Sequence, residues 1–343
     1  MKMKKNLLAT LLIIPSTFLF SQKDSADYFL QKGLTTKNEG SRMESLKLFE
    51  KAYSYDNQNK QIVYEFGLAY FDLRKYAMAR VQFMKLIEMG EPSAEVLKQA
   101  MNLSFNLKQY DDALKYANLL KKADPGEKIN FFIGKAHYDN ENIGEAIKFL
   151  KEAMIEDPTK AEIPYLIARS YGDMMNYKIA VPYMEKALAM DSLNNIWYYQ
   201  AGLMCYAIHE DLRSLNYFLK AADKGYPKDR DYMENLGIAL LNANKQKEGL
   251  SILVEILKSR PSDINILNMV AEEHYFQKKY DKAIEYWDKI LEYDKENAKV
   301  LYMIGMSFQN KGEKEKGIVL CDRAILMDPS LAANKQKKMN MGL

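Results

Sequence analysis

A small residue recurs along the chain at Ser45, Ala79, Ala113, Ala146, Ala180, Ser214, Gly249, Ala283 and Gly317. The intervals are 34, 34, 33, 34, 34, 35, 34 and 34 residues. Twelve residues before each stands Gly33, Gly67, Met101, Gly134, Ala168, Gly202, Gly237, Ala271 or Gly305, and eight of these nine are Gly or Ala. Small residues at both places let two helices approach closely, where a large side chain would hold them apart. A period of this length repeats one supersecondary unit that cannot bury its apolar face alone. The core must therefore form between successive copies.

Each copy contains two amphipathic helical patterns. In the eighth, Leu267, Val270, Ala271 and His274 share one face of the first helix, and Ala283, Trp287 and Ile290 share one face of the second. The phrases YDDALKYANLLKKADP (110–125), GEAIKFLKEAMIEDP (144–158) and KGIVLCDRAILMDP (316–329) end alike. Their Asp-Pro closes a helix, because proline lacks an N–H and restricts the residue before it. Pro92, Pro227 and Pro261 punctuate other copies, while Pro182 falls near the start of a second helix, where it is either tolerated or kinks it. With 48% hydrophobic and 28% charged residues, the composition is that of a folded chain. No linker rich in Pro, Gly or Ser interrupts it, so one continuous array is expected rather than two lobes.

A 34-residue helix–turn–helix with this small, aromatic and proline pattern resembles the tetratricopeptide repeat family. In the fourth unit the family's characteristic positions carry Gly134, Ala146, Leu150, Ala153 and Pro158; in the second they carry Gly67, Ala79, Phe83, Leu86 and Glu91. The resemblance covers residues 26–331 as nine units, starting near 26, 60, 94, 127, 161, 195, 230, 264 and 298. It implies an all-α fold: a right-handed α-solenoid with a capping segment at 332–343. Gly249 and Gly317 depart from the family's alanine, and Met101 from its glycine. These departures are expected to loosen packing locally.

The first residues read MKMKKNLLATLLIIPSTFLFSQK. A basic start, an apolar run from Leu7 to Phe20 and small Ser21 have the form of a secretory leader over 1–21. Leu19 is larger than cleavage sites favour, and no Cys stands near to suggest a lipid anchor. With the leader removed, basic side chains fall from 49 to 49 − 3 = 46, equal to the 46 acidic ones. A zero balance gives no electrostatic case for nucleic acid. No second apolar run would span a membrane, so a periplasmic protein is expected. Cys205 and Cys321 lie more than three repeats apart, too far to bridge, and are read as buried thiols.

No catalytic pattern is present. His137 and His274 hold equivalent core-facing places in units four and eight, and His209 falls in a turn. No zinc-ligand spacing, phosphate loop or nucleophile elbow occurs, so no enzyme activity, cofactor or metal is expected. In the family, the first helices build a concave surface. The resemblance then implies partner-binding residues on them: Tyr64, Phe71, Phe105, Asn106, Phe131, Tyr138, Tyr165, Tyr199, Tyr206, Tyr275 and Tyr302. Tyrosine and phenylalanine give large rigid contacts, and asparagine can pair with a ligand backbone. The family's clamp for a terminal carboxylate is broken: Lys98 and Asn102 fit it, whereas Phe132, Glu162 and Leu166 do not. The expected function is a non-enzymatic scaffold that binds a protein or peptide segment in the groove. The alternative is a glycan or small-ligand binder using the same rings. No oligomeric state follows from the sequence.

Overall fold

The computed structural model describes residues 16–90 and 92–332. The expected capping segment lies outside the described residues but for Ala332, as does most of the expected leader. The chain divides into two compact units, Met1–Ser170 and Tyr171–Leu343. The first holds α1 (Ser16–Asn38), α2 (Arg42–Tyr55), α3 (Lys60–Asp72), α4 (Tyr76–Glu88), α5 (Ala94–Asn106), α6 (Tyr110–Ala123), α7 (Asn130–Asp139) and α8 (Ile143–Glu156). The division falls within α9 (Glu162–Asp173). The second holds α10 (Tyr177–Met190), α11 (Asn195–Ala207), α12 (Asp211–Asp223), α13 (Arg230–Asn242), α14 (Gln246–Ser259), α15 (Ile264–Phe276), α16 (Tyr280–Tyr293), α17 (Ala298–Lys311) and α18 (Lys314–Met327). A 3-10 turn, Pro329–Leu331, follows. Among the described residues there is no strand, and the architecture is an all-α repeat array.

Within each unit, a first helix packs on the second helix of its own hairpin, which in turn packs on the first helix of the next. Phe83, Leu97, Leu103 and Leu120 are fully buried between hairpins of the first unit. Ile266, Val270, Trp287 and Ile290 are buried in the same way in the second. At the C-terminal end, Leu331 folds back onto Ala298, Leu301, Tyr302 and Ala324. Helix α10 runs through Pro182 without ending.

The punctuation in the sequence has a local cause. First helices open on an N-cap: Asn59, Ser93, Asn194, Asp229, Asp263 and Asn297 each accept a bond from an N–H of the first turn. Each cap is worth about 1 kcal/mol. Several second helices end on an aspartate. Oδ1 of Asp124, Asp157 and Asp328 accepts the N–H two residues on, at 3.1, 3.1 and 3.0 Å. This Asx turn sends the chain toward the next hairpin.

The turn inside each hairpin is equally regular. Arg74, Lys108, Glu141, Met175, His209, Asn244 and Lys278 are left-handed, with φ between 56° and 59°. Gly40 and Gly312 take the corresponding places in the first and last hairpins. The next N–H reaches back five residues, as from Lys75 to Tyr70 O (2.9 Å) and from Gln109 to Ser104 O (2.8 Å), which is the Schellman closure. Glycine would fit best there, yet the bond pattern holds even Met175 and Glu141 in place.

Gly249 and Gly317 do not loosen their hairpins. A Cβ on Gly249 would stand 2.8 Å from Gly237 O, and one on Gly317 would overlap Gly305 O. These two hairpins close glycine on glycine, so the missing methyl brings the helices nearer. Met101 is buried at 3% exposure and joins the core of the first unit.

The two core histidines pack as rings. His137 stacks on Phe149 (5.6 Å, 12°) and His274 on Tyr286 (5.7 Å, 20°), as Tyr171 does on Tyr183 (6.0 Å, 18°). Nδ1 of both histidines is buried without a hydrogen-bond partner. Burial lowers both pKa values from 6.5, with Lys148 adding to the effect at His137 and Lys282 and Lys279 at His274. The unfolded chain therefore takes up protons first as pH falls. The stability contributed by the neutral rings is complete above pH 6.5 and is lost as pH drops through the folded values. The melting temperature is expected to fall between pH 7 and 5. The double substitution His137→Tyr, His274→Tyr should flatten that fall, and an unchanged slope would rule the histidines out as its source.

Candidate functional site

In the first unit, the helices α3, α5, α7 and α9 carry the expected residues. Tyr64, Phe71, Phe105, Phe131, Tyr138 and Tyr165 are all half-buried, and Asn106 is exposed. Most of these rings have neighbours within the protein. Tyr64 meets Phe83 edge-on at 6.0 Å, Phe71 lies 5.7 Å from Tyr76, and Phe105 lies 5.0 Å from Phe132. Lys160 Nζ sits 3.6 Å from the centre of Phe131. The Arg169 guanidinium is 6.0 Å from the rings of both Tyr138 and Tyr165, and its Nη1 donates to Tyr165 Oη at 3.0 Å. Cation–ring contacts of this kind contribute about 0.5–2 kcal/mol each.

Charges along these helices are paired between hairpins. Lys37 meets Glu65 at 2.7 Å, Lys98 meets Glu127 at 2.9 Å and Lys135 meets Glu162 at 2.8 Å. The bond to Glu127 raises the pKa of Lys98. Lys98 is thus paired within the protein, and Leu166 is buried at 6% exposure.

One opening lies beside these residues. A cavity of about 330 Å³ is bounded by Tyr64, Leu86, Pro92 and Val96, with Lys60 and Gln61 at its mouth. Lys60 Nζ donates to Gly90 O at 2.8 Å and pins the loop that forms one wall. The size suits an apolar side chain or a small ligand. Of this set the repeat pattern named Tyr64 alone as a binding residue; Leu86 and Pro92 entered it as a packing position and a helix stop. The other walls come from α4, α5 and the loop between them.

In the second unit, Tyr199 stacks on Tyr226 at 4.4 Å and 14°, and its hydroxyl accepts from Asn235 Nδ2 at 2.8 Å. Tyr275 packs 5.8 Å from Trp287 and accepts from Asn310 Nδ2 at 2.7 Å. Tyr302 is buried at 7% exposure among Leu301, Cys321 and Leu331, whereas Tyr206 is 42% exposed. Both cysteines are buried as free thiols, and burial pushes Cys205 up to about 11. A feature that the repeat reading passed over is Phe276, 74% exposed. The signal was present: Phe276 holds a place that carries Asn or Asp in seven of the nine units, at 38, 72, 106, 139, 173, 242 and 310.

A family model described as tetratricopeptide repeat matches residues 298–331, and one described as anaphase-promoting complex, cyclosome, subunit 3 matches residues 106–187. Among curated proteins, the chain is similar to the BBSome complex member bbs-4 of Caenorhabditis elegans. Identity is 23% over 286 residues, covering 80% of this chain and 61% of that protein's length. It is also similar to the type IV pilus assembly protein PilF of Pseudomonas aeruginosa, 24% identical over 184 residues, covering 53% of this chain and 73% of that one. Among solved structures, the C-terminal part of a TPR repeat-containing protein from Cytophaga hutchinsonii matches with a TM-score of 0.50 and 16% identity. That match covers 80% of this chain and 99% of the other. The fold thus defines a class, the all-α array of stacked helical hairpins. Within that class, residues 298–331 match the tetratricopeptide repeat, and the chain resembles proteins built of that repeat. Such proteins are generally scaffolds for other proteins and are typically non-enzymatic. Among the described residues, no helix is long and apolar enough to cross a membrane.

Proposed function

We propose that the protein is a non-enzymatic scaffold of the cell envelope that holds an extended segment of a partner protein along the first helices of its first unit. One apolar side chain of the segment enters the cavity beside Tyr64, while Asn106, Tyr138 and Tyr165 flank its path. The observation that carries this reading is the cavity itself: an apolar recess of about 330 Å³ adjoining the expected face. An anchor side chain in such a recess supplies most of the affinity of a peptide complex, and the surrounding contacts exclude water. Export rests on the basic and apolar start of the chain and agrees with the similarity to a protein named for pilus assembly. Tyr199, Tyr206, Tyr275 and Tyr302 would have a secondary part, since a neighbouring ring, an internal bond or burial already engages most of them.

The test is a display selection of peptides on the chain from Gln22 onward, followed by titration of the selected peptide. Tyr64→Ala is expected to weaken binding about tenfold or more, the loss of one anchor contact. Tyr138→Ala with Tyr165→Ala should give a smaller loss. Equal affinity in all three proteins would refute the groove. In cells, the N-terminus of the released protein should fall near Gln22; recovery of an uncleaved chain in the cytoplasm would refute export.

A further inference from the structure

A second opening lies in the second unit, between the α13–α14 and α15–α16 turns. It is an open cavity of about 900 Å³, and seven of its ten lining residues are polar or charged. Leu241 and Leu250 form the apolar floor, and Phe276 stands on the rim, 74% exposed. Tyr275 meets the Phe276 ring edge to face at 6.0 Å. The cavity shares no residue with the Tyr64 recess or with the row of residues expected from the repeat pattern.

The polar lining has two parts. Gln277 is fixed: its Nε2 donates to Glu273 Oε1 at 2.8 Å, and its Oε1 accepts from Lys279 Nζ at 2.7 Å. Asn242, Asn244 and Gln246 make no such bond, and their amides remain available as donors and acceptors together. Lys247 and Lys279 stand with Glu273 in the lining, so charges of both signs offset one another in part and neither sign of ligand is strongly favoured. Leu241, Leu250 and Phe276 are the apolar residues of the lining, fewer than the polar ones, so it surrounds an apolar side chain poorly.

We infer that this cavity is a binding site for a neutral oligosaccharide. A sugar ring offers an apolar C–H face to the exposed Phe276 ring and, around its edge, hydroxyls that each donate and accept. That pattern matches an aromatic platform beside free amides, and it matches neither a charged ligand nor an apolar side chain. The site adds a ligand to a protein whose partner segment is held in the other unit.

The test is calorimetric titration of the chain from Gln22 onward with maltotetraose, cellotetraose and chitotetraose. At least one is expected to bind. Phe276→Ala should weaken that binding about tenfold, and Asn242→Ala with Gln246→Ala should weaken it to a similar degree. The thermal melt should be nearly unchanged in both variants, because Phe276 and Asn242 are exposed and half-buried Gln246 lies at the start of its helix. Phe276→Trp should retain binding. Tyr64→Ala should leave the saccharide titration unaltered, which separates this site from the partner groove. Absence of binding by all three saccharides overturns the inference, as does binding that survives Phe276→Ala. Loss of the selected peptide, and of no saccharide, in Phe276→Ala assigns the cavity to the protein partner and overturns it as well.

Discussion

Trp287→Ala is expected to destabilise the second unit by about 3–5 kcal/mol, the largest loss of any single side chain considered. The ring is fully buried in α16, within a core that includes Leu267, Val270, Ile290 and Ile304. Its Nε1 donates to Asn268 Oδ1 at 2.9 Å, across to α15. Removal leaves a cavity and takes a donor from Asn268. Trp287→Phe keeps most of the volume and should cost about 1–2 kcal/mol, mainly for the lost bond. Urea unfolding followed by circular dichroism separates the two variants. Because each hairpin depends chiefly on its neighbours, amide exchange in α15 to α17 should rise before exchange in α11 and α12 does. Loss of protection at one rate throughout the second unit would contradict that local dependence.

Gly317→Ala is the second test of the packing, and here sequence logic and geometry give opposite signs. Five of the nine units carry alanine at this place, and alanine is the better helix former by about 1 kcal/mol. The family pattern therefore predicts stabilisation. In the folded chain the added methyl would overlap Gly305 O and would approach Gln309 N to 2.8 Å. A backbone atom cannot move aside as a flexible side chain can, so α17 and α18 must separate. The expected net loss is about 1–2 kcal/mol, the overpacking cost less the gain in propensity. Gly249→Ala should behave alike, because its Cβ would meet Gly237 O. A rise in the melting temperature of Gly317→Ala would refute the close approach.

The all-α repeat class was legible because it is a matter of period. Small residues twelve apart, aspartates that stop helices and apolar stripes all repeat, and each has a local physical cause. Gly317 shows where that reading stopped. A pattern reports which residue is typical at a place, whereas the distance between two particular backbones depends on both residues of the pair. The left-handed turns show a related limit. Only Gly40, Asn244 and Gly312 hint at them, while Met175 and Glu141 adopt the same backbone because the Schellman bonds impose it.

The site was less legible than the fold. Counting along the period found Tyr64, Tyr138 and Tyr165, but it read Pro92 only as punctuation and passed over Val96, which together complete the cavity from a neighbouring loop and helix. Tyr226 lies between hairpins, so its stack on Tyr199 was equally invisible to the count. Tyr302 occupies an equivalent place to Tyr64, yet Leu331 folds back beside it at the chain's C-terminal side and the ring is buried. Phe276 could have been found, since it breaks a run of Asn and Asp.

The proposed partner segment lies on the first unit beside the Tyr64 cavity. The most direct measurement replaces Gln61, at the mouth of that cavity, with a photo-reactive phenylalanine analogue and maps the crosslinked partner residues. The same analogue at exposed Asn118 on α6 serves as the comparison. A crosslink is expected from position 61 to one short partner segment, displaced by the selected peptide and absent from position 118. A crosslink from position 118 alone, or one from position 61 that the peptide leaves intact, would contradict it.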